Sequence, residues 1–77
     1  MNEIWELVIN NGGIVFEVDK YGIGFVINGK YIDIFHYDQK YELIIGGQRR
    51  VFFEQLFSIK PAGLLEWLSD YIQVSRL

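Results

Sequence analysis

The sequence predicts an α+β domain: a short N-terminal helix, a four-stranded antiparallel meander, and two C-terminal helices packed on one face of the sheet. Three observations carry that expectation. Apolar and polar residues alternate from Ile14 to Ile45, the period of a half-buried strand. Turn-forming residues recur about every ten positions through this stretch, at Asp19 to Gly22, Asn28-Gly29 and Tyr37 to Lys40, as in a meander. Beyond Pro61 the apolar spacing becomes helical.

Asn2 suits a helix N-cap, with Glu3 and Glu6 near the positive end of the helix dipole. Ile4, Trp5, Val8 and Ile9 follow at helical spacing, and Asn11-Gly12-Gly13 ends the helix at about residue 10. Strands are then expected from Ile14 to Val18, Ile23 to Ile27, Lys30 to His36 and Tyr41 to Ile45.

Asn-Gly is a strong hairpin signal because a type I′ turn needs positive φ at both central residues. The Asn28-Gly29 turn pairs Phe25 with Ile32 and Ile23 with Ile34. Turns at 19–22 and 37–40 extend the same parity, pairing Phe16 with Phe25, Ile34 with Leu43, Ile32 with Ile45 and His36 with Tyr41. One face then carries Ile14, Phe16, Val18, Ile23, Phe25, Ile27, Ile32, Ile34, Leu43 and Ile45, with His36 and Tyr41 at one end. Such a layer needs a cover.

Gly46-Gly47 leads into residues 48–58, where Val51, Phe52, Gln55, Leu56 and Ile59 form a helical stripe. A helix is expected there. The competing reading is a fifth strand, because Arg49 and Arg50 in a first turn oppose the helix dipole and Val51-Phe52-Phe53 suits a strand. Pro61 is placed as the first residue of the last helix. Leu64, Leu65, Leu68, Tyr71 and Ile72 give that helix a continuous apolar stripe to about Val74.

The 77 residues allow one domain, near the lower size limit for a self-sufficient core. Apolar residues are 51% of the chain and aromatics 17%, more than so small a body hides, so an interface is expected. A net charge of −3 with scattered lysines argues against a general nucleic-acid binder. With no cysteine and one histidine, neither thiol chemistry nor a zinc site is expected. No cofactor is implied. The N-terminus has no signal-peptide pattern and no apolar run reaches membrane-spanning length, so a cytoplasmic location is expected.

The second sheet face is expected to hold Val15, Glu17, Val26, Tyr31, Asp33, Phe35, Glu42 and Ile44, with Gly24 as a dip between Glu17 and Asp33. Flat aromatic area with a charged border suits a protein partner. The plainer alternative is a half-solvated outer face. Glu17 and Asp33 also form a carboxylate pair, but on a sheet surface with no pocket they are not expected to work as acid and base. Arg49 and Arg50 after Gly46-Gly47 suggest either an anion site at a helix N-terminus or rim contacts to an acidic partner. The plain alternative is a loop with two solvated arginines. His36, without a catalytic partner in sequence, is expected to pack or hydrogen-bond.

The function these features fit is a non-enzymatic protein-binding module. Its concrete form is an inhibitor of the kind bacteria and phages encode, occluding a site on a nucleic-acid enzyme or immune nuclease. Within this class, Glu17, Asp33 and Glu42 would mimic nucleic-acid charge. The alternative is a single-stranded nucleic-acid binder using Arg49, Arg50 and exposed aromatics. Homodimerisation through the same face competes with both.

Overall fold

A computed structural model of the protein describes residues 2–54 and 63–75. Helix α1 spans Asn2–Asn10. Five strands follow, β1 (Ile14–Val18), β2 (Gly22–Ile27), β3 (Lys30–Tyr37), β4 (Lys40–Ile45) and β5 (Gln48–Phe53), and helix α2 spans Leu64–Ser75. The strands form one antiparallel sheet in the order β1-β2-β3-β4-β5.

Residues 48–53, expected as helix, are therefore a fifth strand, so the architecture is one N-terminal helix, five strands and one C-terminal helix. The reason lies in Gly46-Gly47. Both residues have positive φ, +55° and +82°, as do Asn28 (51°) and Gly29 (+78°). A two-residue turn of this kind twists with the strands it joins and returns the chain antiparallel. Val51, Phe52 and Phe53 then complete a ladder on β4, in which Tyr41 faces Phe52 and Leu43 faces Arg50. The rest of that expected helix, residues 55–58, and Pro61 lie outside the described residues.

Asp38 and Gln39 form a third tight turn, with φ of 49° and 62°. Tyr37 faces Lys40 across it. The parity matches that of a longer turn, so Ile34 still faces Leu43 and Ile32 faces Ile45.

The register between β1 and β2 departs from the sequence expectation. Val18 faces Ile23 and Glu17 faces Gly24, but a bulge follows and Val15, not Phe16, faces Phe25. Two anchors out of phase by one residue account for it. At one end, Asp19 Oδ1 accepts hydrogen bonds from the amides of Tyr21 (2.7 Å) and Gly22 (2.9 Å), fixing Val18 against Ile23. At the other, Gly13 donates to the Val8 carbonyl at 2.8 Å, delivering β1 directly from the end of α1. The extra residue, Phe16, is absorbed as the bulge.

Ile14 and Phe16, expected in the core, are consequently exposed, and Val18, although it faces Ile23 as expected, is exposed too on this edge strand. Val15 packs against the core instead. The buried layer of the sheet is Ile23, Phe25, Ile27, Ile32, Ile34, Tyr41 and Leu43. Its cover comes from both ends of the chain, Ile4 and Val8 of α1 and Leu64, Leu68 and Ile72 of α2.

Two further ties position α2. Trp67 stacks on Tyr71 (5.4 Å between ring centroids), with Phe52 at 6.2 Å and the Arg50 guanidinium at 5.1 Å over the Trp67 ring. Asn28 Nδ2, in the central hairpin turn, donates to the Ile72 carbonyl at 3.0 Å and to Ser75 Oγ at 2.8 Å. The Ile72 bond satisfies a carbonyl near the helix C-terminus, where intrahelical donors run out. No helix among the described residues is long and apolar enough to cross a membrane.

Candidate functional site

With α1 and α2 both packed into the core on the inner face, the other face of the sheet is uncovered by any described element. Ladder pairing sets its rows. Ile14, Val26 and Tyr31 form one row, and Glu17, Gly24, Asp33, Ile44 and Arg49 the next. Gly22, Phe35, Glu42 and Val51 form a third, and Tyr37, Lys40 and Phe53 a fourth. Of the eight residues assigned from sequence to this face, Glu17, Val26, Tyr31, Asp33, Phe35, Glu42 and Ile44 share it, whereas Val15 faces Phe25 and packs against the core because the bulge shifts the register of β1. Tyr31, Phe35 and Glu17 are exposed, whereas Val26, Asp33 and Ile44 are half-buried.

Glu42 differs from the others, being only 5% exposed. Its carboxylate accepts from Arg49 Nε at 2.6 Å and from the Tyr37 hydroxyl. That hydrogen bond, followed by burial, raises the Tyr37 pKa. Arg49 is therefore committed to Glu42, while Arg50 lies on the inner face over Trp67. Neighbouring strand residues point to opposite faces, so the two guanidinium groups do not converge. With residues 48–53 in a strand, the anion site at a helix N-terminus falls away as well.

Gly22 and Gly24 form the floor of the face. A methyl group on Gly24 would collide with the Tyr31 hydroxyl, and one on Gly22 would come within 2.7 Å of the Ile34 carbonyl oxygen and 3.1 Å of Phe35 Cδ1. The aromatic side chains of β3 thus lean across β2 where no Cβ stands in their way. Between them opens a cleft of about 280 Å³, lined by Glu17, Asp19, Tyr21, Gly22, Ile23, Gly24, Tyr31, Asp33 and Phe35. Sequence reading places a glycine dip here but no pocket.

The Tyr31 pKa is raised, first by burial and then by the charges of Asp33 and Glu17. Phe16, placed outward by the bulge, lies 6.4 Å from the Tyr31 ring and enlarges the aromatic patch. Turn parity assigns Phe16 to the core, and a bulge inside a strand leaves no mark on either turn. Tyr37, expected in the turn, is the last residue of β3 and continues the face of Tyr31, Asp33 and Phe35 at the strand period.

Two other grooves flank α1. One, of about 530 Å³, runs along β1 between Trp5, Ile9, Ile14, Phe16 and Val18. The other, of about 610 Å³, lies between the helices and is lined by Glu3, Glu6, Glu66 and Asp70 among others. His36, on the inner face, holds Glu54 at 2.5 Å and stacks on Tyr41 at 4.0 Å. Among the described residues no group of three His, Asp or Glu side chains is placed to hold a metal ion.

Comparison with protein-family models, curated proteins and solved structures gives no match. The outer face must therefore be read from its own chemistry.

Proposed function

We propose that the protein is a non-enzymatic binding module that docks its outer sheet face on a larger protein. The observation that carries this reading is the row of rings left in water on a rigid sheet. Phe16 is 66% exposed, Tyr31 44%, Phe35 40% and Tyr37 42%. Aromatic side chains held by a sheet lose little conformational freedom on binding, which makes them effective anchors. Glu17 and Asp33 supply charge around the cleft, favouring a target with a basic surface.

An inhibitor that occludes a site on a nucleic-acid enzyme or nuclease is the form this chemistry fits best. The acidic contribution would come from Glu17 and Asp33, since the Glu42 carboxylate is held by Arg49 and Tyr37. Direct binding of single-stranded nucleic acid is disfavoured, because the rings share their face with carboxylates and the two arginines diverge.

An affinity pull-down from native extract tests the reading, comparing wild type with Tyr31→Ala/Phe35→Ala after circular dichroism has shown both to be folded. Loss of a specific partner from the variant supports it. Recovery of the same partners at the same yield overturns it. Light scattering addresses self-association: a tight dimer that Phe35→Asp converts to monomer would make the face a self-interface.

A further inference from the structure

We infer that the cleft over Gly22 and Gly24 receives an arginine side chain from the partner. This deepens the protein-binding reading and rests on it. Tyr31, Asp33 and Phe35 alternate on one face of β3, about 7 Å apart along the strand. A carboxylate therefore stands between two rings, above a floor with no side chains of its own.

Charge and shape select the occupant together. Among the described residues Arg49 is paired with Glu42 and the His36 ring contacts Glu54, and neither contact includes Glu17 or Asp33. An ionised carboxylate has lone pairs for several hydrogen bonds, so Asp33 can accept from an incoming donor. Lys20 sits over the Tyr21 ring at 4.9 Å, leaving the Tyr31 and Phe35 rings to an incoming cation. A guanidinium is planar, stacks on aromatic faces and donates in a fork that matches a carboxylate. A quaternary ammonium would use the rings but give Asp33 and Glu17 no hydrogen bond. At about 280 Å³, the cleft falls just below the usual range for small-molecule sites and suits a single side chain.

The test is an NMR titration of the whole chain with N-acetyl-arginine-N-methylamide, following the amides of Gly22, Gly24 and Asp33. N-acetyl-lysine-N-methylamide and tetramethylammonium serve as comparison ligands. Saturable shifts at those amides are expected, with a Kd on the order of millimolar for a single side chain. Glu17→Gln/Asp33→Asn, which keeps size and fold, should weaken the arginine derivative at least about tenfold. The inference is overturned by an absence of saturable shifts, by equal binding to the double variant, or by equal or tighter binding of either comparison ligand.

The outcomes separate this inference from the reading beneath it. A partner captured through the rings but indifferent to Glu17→Gln/Asp33→Asn would keep the docking face and remove the arginine site. Arginine binding without any captured partner would keep the site and remove the docking function.

Discussion

Replacing Gly22 by alanine would place a methyl carbon 2.7 Å from the Ile34 carbonyl oxygen, in the backbone of the neighbouring strand. The obstacle is part of the sheet, so relief requires the strands to move apart. Overpacking of this kind costs about 1–3 kcal/mol. The reduced freedom of alanine in the unfolded chain returns about 0.4–1 kcal/mol. The net loss, centred on about 1.3 kcal/mol within a range of about 0–2.6 kcal/mol, would lower the Tm by about 5–10 °C at that centre in a domain of this size. Gly24→Ala meets a different obstacle, the Tyr31 hydroxyl at the end of an exposed side chain and Asp33 Oδ1 at 3.0 Å. Both can swing away. The small cost of that movement is largely offset by the same unfolded-state gain. Thermal and urea unfolding followed by circular dichroism should therefore show Gly22→Ala clearly destabilised and Gly24→Ala within about 1 kcal/mol of wild type. Gly24→Ala should nevertheless lose binding, because Tyr31 is displaced. Equal destabilisation by the two substitutions would refute the assignment of one clash to backbone and the other to a movable side chain.

Three further predictions concern the ties that hold the face. Asn28→Gly keeps the positive φ of the turn but removes both bonds to α2, so a loss of about 0.5–2 kcal/mol in urea unfolding is expected. Arg49→Ala strips the cation from the buried Glu42 carboxylate and should cost about 1–3 kcal/mol. Arg50→Ala removes only a cation–π contact, about 0.5–1 kcal/mol, so a larger effect at Arg50 would contradict the sorting of the two arginines. The raised pKa values of Tyr31, Tyr37 and Tyr41 mean that the folded state keeps these protons to higher pH than the unfolded chain does. Stability from this source is complete below about pH 10 and falls as pH rises beyond it. The urea midpoint should drop accordingly, less steeply in Tyr37→Phe.

The central hairpin was legible because Asn28-Gly29 constrains both conformation and parity. That single turn correctly sorts Phe25, Ile32 and Ile34 inward and Tyr31, Asp33 and Phe35 outward. Gly46-Gly47 carried the same information, as two residues free to take positive φ. It was overridden by the helical spacing of Val51, Phe52 and Gln55, a spacing that short apolar runs also produce in strands. The unfavourable placement of Arg49 and Arg50 was the available warning. The bulge at Phe16 was not legible, since it arises from a mismatch between the end of α1 and the Asp19 turn, visible only once both are in place. Nor was the cleft, which depends on the side chains of β3 leaning over glycines two residues apart on β2.

Most of the face assigned from sequence is thus held together by backbone pairing, with its content changed: Val15 turns inward and Ile14 outward. Phe16 joins the rings of the outer face, and Glu42 is bound by its neighbours. What remains to partners is an aromatic surface around Glu17 and Asp33. Photo-crosslinking in native cells tests this most directly, with benzoylphenylalanine placed at Tyr31 on the outer face or at Val74, 68% exposed on α2. The account predicts a discrete adduct with another protein from position 31 and none from position 74. Adducts of equal yield from both positions, or from position 74 alone, would contradict it.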